Sequence, residues 1–323
     1  MARGEIALES SLLAALPSHG TLIVAVSGGA DSVALLLSVH AAWLRTLKSA
    51  KTRKLIVVHV NHKLRAMSSK DEAFVKALAK RLKIPFYVRR LGRAPKSNIE
   101  AWARTERYRE LEEFRKKLRG NWILTAHNQN DVAETFLIKL LQNRDSYLLA
   151  ARDKARRLIR PLVSVDREQI ERYLVERKQA WREDETNLDV TFARNWVRLE
   201  LLPLLKSRWG KGVFRTLAER ADAQQVDRFL ADSAINNCLA DLSRSKVKDV
   251  TELRSRLMEL PAAAHPLFGC AIANRFLSER IGRTHGASVA RLILGKTAAV
   301  QLPHDQHLTV KKGLLSFHDA GKT

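Results

Sequence analysis

The sequence predicts an α/β protein built on a doubly wound parallel sheet, followed by a smaller, mainly helical domain. Three observations lead to this prediction. Short apolar runs alternate with longer helical patterns over the first 140 residues or so. The apolar runs are continuous rather than alternating, which is typical of strands buried on both faces. The later part of the chain carries mostly helical patterns and closes with two strand-like runs.

The four apolar runs of the first part are 22–26, 55–60, 86–88 and 122–125. The helical patterns lie near 32–48, 70–82, 98–118 and 131–142. This β-α-β-α order predicts a parallel sheet with right-handed crossovers. Such sheets bind ligands beyond the carboxyl ends of their strands. We therefore expect functional residues directly after Val26, Val60 and Thr125.

The second part begins with a long helical pattern at 213–242, and we place a domain boundary near residue 212. The preceding stretch 166–178 is amphipathic, with Asp166 as a candidate N-cap. The remaining helices and strands that we expect are near 251–259, 270–282, 298–302 and 307–317. The prediction is thus a first domain over 1–212 and a mainly helical domain over 213–323 that ends in a short β element.

The charge of the chain indicates an anionic partner. Its 323 residues include 57 Lys and Arg against 34 Asp and Glu, a net charge of +23. Residues 51–100 alone carry 14 basic and 3 acidic side chains. A concentrated basic surface attracts polyanions and is weakened by salt, so nucleic-acid binding is expected to fall steeply as salt rises.

Cysteine count and hydropathy exclude several classes. The two cysteines, Cys238 and Cys270, form no CxxC pair. This argues against a disulfide scaffold, a cysteine-rich zinc site and an iron–sulfur cluster. No apolar run approaches the roughly 20 residues of a membrane span, and Glu5 and Glu9 interrupt the N-terminal apolar stretch. We therefore expect a cytoplasmic protein without a signal peptide or membrane contact.

The strongest motif is Ser27-Gly28-Gly29-Ala30-Asp31-Ser32, which follows the first predicted strand and opens a helix. Two glycines allow a tight turn, and the helix N-terminus adds partial positive charge, so the loop is suited to phosphate. It is not a Walker A loop, because no Gly-Lys-Ser/Thr follows. Asp31 repels a bare phosphate and is explained best as a Mg²⁺ ligand or as a group that orients a second substrate.

The loop resembles the pyrophosphate loop of the N-type ATP pyrophosphatases, which cleave ATP between the α- and β-phosphates. Further segments resemble one member of that superfamily, the tRNA(Ile)-lysidine synthetases. They are Val60-Asn-His62-Lys-Leu-Arg65, Asn98-Ile-Glu-Ala-Trp-Ala-Arg104-Thr-Glu-Arg107-Tyr108, Thr125-Ala-His127-Asn-Gln-Asn130-Asp131-Val-Ala-Glu134-Thr135, Arg160-Pro-Leu162, Trp181-Arg-Glu-Asp184-Glu-Thr-Asn187 and Arg194-Asn195-Trp-Val-Arg198. The segments stand in the family's order, and the resemblance is looser beyond about residue 212.

The sequence departs from the family pattern at two places. The family's "H-H-x-D-D" segment has two histidines and two aspartates, whereas this chain carries Asn128 and Asn130 at two of those positions. The glycine-rich stretch that follows in the family is replaced by 141–149, which contains no glycine.

The resemblance implies an adenine nucleotide alpha hydrolase-like fold and a two-step reaction. The C2 oxygen of the wobble cytidine of the isoleucine tRNA with a CAU anticodon attacks the α-phosphate of ATP and expels pyrophosphate. The ε-amine of L-lysine then attacks C2 and expels AMP. The implied cofactors are ATP and Mg²⁺, and the domain over 213–323 is expected to contact tRNA.

Site residues follow from the matched motifs and from side-chain chemistry. Asp131 and Glu134 lie three residues apart on one predicted helix and share a face, which suits a cationic amine. We expect catalysis to involve Asp31, Asp131 and Glu134, with Asp31 also on Mg²⁺. The remaining expected residues are Ser27, Gly28, Gly29, Ala30, Ser32 and His62 for ATP or pyrophosphate, Arg104, Arg107, Arg194 and Arg198 for phosphate or tRNA, and His127, Tyr108 and Asp184 in the active site.

Three other readings stay open. Another tRNA-modifying ATP pyrophosphatase, such as a 2-thiocytidine synthetase, needs clustered cysteines that this chain lacks. A small-molecule ligase fits the loop but gives no reason for the charge. A diverged RNA-binding member without turnover would account for Asn128 and Asn130. The sequence does not decide whether the chain forms a homodimer.

Overall fold

The computed structural model describes residues 8–9, 12–45, 53–62, 68–92, 94–95, 99–142, 151–183, 189–240, 248–275, 281, 283–303 and 306–319. These residues form two compact units that divide between Asp222 and Ala223, inside one long helix. The boundary predicted near residue 212 falls at the start of that helix and stays a prediction.

The first unit contains a six-stranded sheet with the strand order β3-β2-β1-β4-β6-β5. All neighbouring pairs are parallel except β5 with β6. The strands are β1 (Gly20–Ala25), β2 (Arg53–Asn61), β3 (Phe86–Arg90), β4 (Trp122–Leu124), β5 (Arg152–Asp153) and β6 (Leu158–Ile159). The predicted doubly wound parallel sheet is confirmed, and the sequence patterns missed only the two-residue strands β5 and β6.

Helices connect and cover these strands. They are α1 (Ala30–Arg45), α2 (Ser68–Arg81), α3 (Ile99–Lys117), α4 (Gln129–Leu141), α5 (Arg167–Glu176), α6 (Ala193–Trp196) and α7 (Leu202–Trp209), with a π-helical turn at Val197–Leu201 between the last two. Asp166 caps α5 as predicted, because its carboxylate accepts a hydrogen bond of 2.7 Å from the Gln169 N–H.

The core explains why the apolar runs are continuous. Successive side chains of a strand point to opposite faces of the sheet, and Leu22, Ile23 and Val24 of β1 are all fully buried. Leu22 and Val24 pack in the core that contains Leu35 of α1. Ile23 packs on the other face, in the core that contains Leu111 of α3. The middle of β1 is covered on both faces, which explains why three consecutive residues there are apolar.

The strand order reverses direction between β1 and β4, and sheets of this kind bind ligands at such a position. From β1 the chain moves outward to β2 and β3, and it then returns to add β4 on the opposite side of β1. β1 and β4 are neighbours, with Leu22 beside Trp122 and Val24 beside Leu124. The loops that follow two such strands leave the sheet in different directions, which opens a ligand-binding crevice at their carboxyl ends.

The second unit combines helices with a three-stranded antiparallel sheet in the order β7-β8-β9. Its buried core includes Phe268, Leu253 and Leu308. The elements are the later part of α8 (Gly212–Leu239), then α9 (Val250–Met258), a 3₁₀ turn (Ala262–Ala264), α10 (His265–Ala273), α11 (Arg283–Ile293), β7 (Ala299–Leu302), β8 (Gln306–Lys311) and β9 (Leu314–Asp319). No helix among the described residues combines the length and apolarity of a membrane span.

Two sequence predictions in this unit are wrong. The helix expected at 270–282 is wrong in its bounds, because α10 begins at His265 and ends at Ala273, while 276–280 and 282 lie outside the described residues. The backbones of α10 and α11 approach each other closely. A Cβ on Gly269 would lie 2.0 Å from the Gly286 carbonyl oxygen, and helical periodicity carries no information about such a contact. The single strand expected at 307–317 is a hairpin, because Lys312 and Gly313 both have positive φ and form its two-residue turn.

Candidate active site

The loop between β1 and α1 is organised by one hydroxyl group. The Ser32 Oγ accepts hydrogen bonds from the backbone N–H groups of Ser27 (3.2 Å) and Gly28 (3.1 Å). It also donates a bond of 2.9 Å to the Gly29 carbonyl oxygen. Ala30 begins the helix, and the N–H groups of a first helical turn have no partner within the helix. The loop is therefore shaped as an anion site with a helix N-terminus at its centre.

A second segment supports this loop from outside. Gly28 has φ +104°, a conformation that favours glycine. Its carbonyl oxygen accepts a bond of 2.9 Å from the Arg182 N–H. The Arg182 Nε in turn donates to Asp71 Oδ1 at 3.1 Å, and Asp71 is buried. Sequence reasoning assigned no role to Arg182 or Asp71, although Arg182 lies inside one of the matched segments.

Asp31 is held by two side chains from distant parts of the unit. Asn128 Nδ2 donates to Asp31 Oδ1 at 3.0 Å, and Arg167 Nη1 donates to Asp31 Oδ2 at 2.9 Å. The pKa of Asp31 is raised to about 6, because burial and the neighbouring Asp131 together outweigh Arg167, Asn128 and Arg198, which lower it. The carboxylate is ionised at neutral pH but is close enough to its pKa to respond to mild acid.

The two asparagines that depart from the family pattern both have structural partners. Asn128 is buried and is the N-cap of α4, where its Oδ1 accepts from the Asp131 N–H at 2.9 Å. The Asn128 N–H in turn donates to the Asp131 carboxylate at 3.0 Å, which completes a capping box. Asn130 Oδ1 accepts from the Arg167 N–H at 3.2 Å. Both asparagines thus join α4 to the groups around Asp31.

The predicted amine-binding carboxylates and two of the predicted phosphate-binding arginines bind one another. Arg194 donates to Glu134 Oε2 at 2.9 Å and to Asp131 Oδ1 at 2.8 Å. Arg198 donates to both oxygens of Glu134, at 2.7 and 2.9 Å. Glu134 is buried, with 1% of its surface exposed. The four side chains form a neutral cluster, and a ligand that binds to any of them has to exchange with an internal partner.

Burial and neighbouring charges together set the pKa values of Asp131 and His127 at this end of α4. Burial alone would raise the pKa of Asp131, but Arg194, His127 and Arg198 outweigh it and hold that pKa below its usual range. The pKa of His127 is lowered to about 3, mainly by burial, with Arg160, Arg107 and Arg104 adding to the decrease and Asp131 opposing it. His127 is therefore neutral at pH 7. Its Nδ1 lies 3.1 Å from the Thr125 hydroxyl.

Arg104 and Arg107 of α3 are different, because the described residues give them no carboxylate partner. The guanidinium carbons of Arg104 and Arg107 lie 5.3 and 5.8 Å from the centre of the Tyr108 ring. Burial lowers the pKa of Arg107, but it remains charged. The Tyr108 hydroxyl is buried and has no hydrogen-bond partner among the described residues. Unsatisfied donors of this kind are suited to an anionic ligand.

Of the remaining predicted site residues, the structure describes His62 but not Asp184. His62 directly follows β2 and is partly buried. Its neighbour Asn61 is buried and donates to Glu72 Oε2 at 3.2 Å. His59, which sequence reasoning did not single out, contacts the Val26 carbonyl oxygen at 2.8 Å through Nδ1. Asp184 and the stretch 143–149 lie outside the described residues.

The described side chains fit Mg²⁺ only as a site shared with phosphate. No group of three or more His, Cys, Asp or Glu side chains suited to a metal occurs in the described part of the chain. Asp31 supplies one carboxylate, which is 25% exposed. Mg²⁺ is commonly bound by one or two carboxylates together with substrate phosphates and water. One carboxylate beside a phosphate loop meets that requirement.

Loop, crevice and fold define a class of protein. Residues 5–205 match the family model described as a PP-loop domain, and the chain belongs to the PP-loop family. Its curated relatives share one more specific name within that family. It is 41% identical to the tRNA(Ile)-lysidine synthase of Thermus thermophilus over 208 residues, which cover 63% of this chain and 39% of that protein. It is 34% identical to the tRNA(Ile)-lysidine synthase of Symbiobacterium thermophilum over 305 residues, covering 88% and 61%.

These matches cover less than two thirds of either relative. Among solved structures, the U34-tRNA thiolase NcsA from Methanococcus maripaludis with its [4Fe-4S] cluster superposes with a TM-score of 0.57. That match has 12% sequence identity and covers 67% of this chain and 77% of the thiolase. At that identity the likeness supports the shared fold.

Proposed function

We propose that this protein is an ATP-dependent ligase that joins L-lysine to C2 of the wobble cytidine in the isoleucine tRNA with a CAU anticodon. Its relatives in Thermus and Symbiobacterium carry the corresponding name. The product, lysidine, changes decoding from AUG to AUA. We place the reaction in the cytoplasm, where tRNA is available.

One observation carries the proposal: Asn128 joins the carboxylates of α4 to the phosphate loop. It caps the helix that bears Asp131 and Glu134, and it donates to Asp31 at 3.0 Å. A site for a cationic amine and a site for a nucleotide are thereby held side by side. The reaction requires that juxtaposition, because the amine attacks the carbon that ATP has just activated.

In the first step the cytidine C2 oxygen attacks the α-phosphate, and pyrophosphate leaves. We assign the leaving pyrophosphate to the loop 27–32, whose backbone donors and helix N-terminus favour negative charge. Mg²⁺, when bound, neutralises charge on the transferring phosphate. Asp31 would hold it, and His62 would contact the adenosine. Arg104 and Arg107 supply guanidinium groups for the remaining phosphates of ATP or RNA.

In the second step one carboxylate of the Asp131–Glu134 pair accepts a proton from the lysine ε-ammonium group, the resulting amine attacks C2, and AMP leaves with the C2 oxygen. We propose that the ammonium group replaces one guanidinium on Asp131 and Glu134, which conserves the charge of the cluster. The displaced Arg194 or Arg198 is then available to a phosphate. The sequence predicted that Asp131 and Glu134 bind the amine and that Arg194 and Arg198 bind phosphate. This exchange allows both roles, although the carboxylates and the arginines pair with each other in the ligand-free protein. Neutral His127 and the Tyr108 hydroxyl line the same end of the sheet.

We propose that the region 213–323 contacts tRNA outside the anticodon. The basic surface supplied by 51–100 would add non-specific attraction. A homodimer is a further hypothesis, which light scattering on the purified chain would test directly.

The test is incorporation of labelled lysine into a CAU-anticodon isoleucine tRNA transcript in the presence of Mg-ATP. We expect incorporation that requires ATP and that is lost when uridine replaces the wobble cytidine. Asp31→Asn is expected to abolish it, whereas Arg172→Ala, an exposed arginine of α5, serves as the matched surface control.

Tight tRNA binding without incorporation would overturn the ligase assignment and favour a diverged RNA-binding member. Incorporation of sulfur in place of lysine would favour a thiolating relative. ATP cleavage that is independent of tRNA would favour a small-molecule ligase.

A further inference from the structure

Asp31 has a cationic partner that sequence motifs did not single out, Arg167 at the first position of α5. The pair is direct, with 2.9 Å between Arg167 Nη1 and Asp31 Oδ2. It joins the phosphate loop to a helix that begins 136 residues later. The Arg167 guanidinium therefore lies where a metal cation bound to the Asp31 carboxylate would lie.

The surrounding contacts allow Arg167 to leave Asp31 without leaving the site. Its Nε donates to Glu171 at 2.7 Å, and its backbone N–H donates to Asn130. Both anchors are independent of Asp31. The Arg167 side chain is 39% exposed, so a small movement of its guanidinium costs little burial. Asn128 keeps the other Asp31 oxygen in place at 3.0 Å.

We propose that Arg167 is a positioning residue that neutralises Asp31 in the ligand-free protein and yields that carboxylate to the divalent cation that accompanies ATP. Glu171 retains the released guanidinium beside the nucleotide phosphates. The inference rests on the proposed function, since it needs an ATP site at the loop. It adds a specific role: Arg167 substitutes for the metal only while the metal is absent.

The test compares nucleotide affinity with and without metal. Dissociation constants of a fluorescent ATP analogue are measured in Mg²⁺ and in EDTA for the unaltered chain and for Arg167→Gln. Without metal and without Arg167, the phosphates meet an uncompensated Asp31 carboxylate, and such like-charge contact is costly. We expect Arg167→Gln to weaken binding about tenfold in EDTA and about twofold or less in Mg²⁺.

Three variants separate this role from a structural one. Arg167→Lys keeps the charge and is expected to keep the EDTA affinity within about threefold. Arg172→Gln removes an equal charge from the exposed side of the same helix and should change neither constant. In an Asp31→Asn background, Arg167→Gln should no longer alter the ratio of the two constants, because the charge to be compensated is gone.

Equal weakening in Mg²⁺ and EDTA would overturn the proposal and leave Arg167 as a brace for α5. The same applies if the effect persists in the Asp31→Asn background. Failure of the unaltered chain to bind the nucleotide under either condition would instead overturn the proposed function and this inference with it. Circular dichroism melts of each variant identify any loss of folding, in which case Arg167→Lys against Asp31→Asn still tests the charge dependence.

Discussion

The two sides of the candidate site differ in whether their charged side chains are paired. On the side of α4, the three carboxylates of the candidate site have internal cations: Asp31 pairs with Arg167, Asp131 with Arg194, and Glu134 with Arg194 and Arg198. On the side of α3, Arg104 and Arg107 have no carboxylate partner among the described residues. We call the first the paired side and the second the basic side.

Under the proposed function, this difference assigns each ligand to one side. The paired side is neutral overall, so it accepts a cation by exchange rather than by simple attraction. The basic side retains uncompensated positive charge, which attracts anions and adds to the effect of burial in lowering the pKa of His127. A reaction that combines a cationic amine with anionic ATP and RNA is served by such a division. A uniformly basic crevice would repel the amine.

The largest effect is expected on the paired side, from Glu134→Ala. The substitution leaves two partly buried guanidinium groups without their main partner, and loss of one member of a buried ion pair typically costs about 3–5 kcal/mol. We expect the free energy of unfolding to fall by that amount and lysine incorporation to be lost. Guanidinium chloride titration and the incorporation assay measure the two effects.

The control for this prediction is Glu219→Gln, which removes a carboxylate from the exposed Arg215 pair on α8. Exposed pairs contribute about 0–1 kcal/mol. A loss of less than about 1 kcal/mol for Glu134→Ala would mean that the paired side is not held together by its ionic cluster.

The second effect concerns the pH dependence of Asp31. Its folded pKa of about 6 lies above the ordinary value of 3.8, so the folded protein binds more protons than the unfolded chain between those values. Stability therefore falls as pH rises from about 4 to 6. We expect Asp31→Asn to raise the unfolding free energy at pH 7 by about 1–2 kcal/mol and to give no gain at pH 4.

The pH dependence of nucleotide binding should report the same carboxylate, but the affinity should rise with pH over the range in which stability falls. Mg²⁺ requires the ionised carboxylate, so the metal-dependent part of ATP affinity should weaken about tenfold per pH unit below pH 6. Asp31→Asn should lack this dependence. A metal-dependent affinity that is constant between pH 5 and 7 would exclude Asp31 as the titrating ligand.

The smallest effect is expected on the basic side, from Arg107→Gln. No ion pair is broken, so the melting temperature should stay the same or rise. Affinity for tRNA or ATP should weaken about tenfold, the size of one charge-assisted contact. Arg109→Gln is the matched control, because Arg109 lies on the same helix but pairs with Glu106 and Glu113. Loss of stability with unchanged ligand affinity would remove the distinction between the two sides.

Much of the fold was predictable because it depends on local chemistry. Continuous apolar runs identified the four main strands, and Ser27–Ser32 identified the phosphate loop between a strand and a helix. Asp166 was correctly predicted as a helix cap. The predictions failed where two distant segments decide the outcome, as in the close contact of Gly269 with Gly286.

The sequence by itself determined the fold class, the position of the candidate site at the strand ends and the residue types available there. Those properties follow from periodicity, strand order and motif composition. Tertiary structure alone decided which of those residues are already neutralised. Arg167 meets Asp31 and Arg194 meets Asp131 across 136 and 63 positions of the chain. Ion pairing depends on distances of a few ångströms between folded segments, and no local pattern encodes such distances.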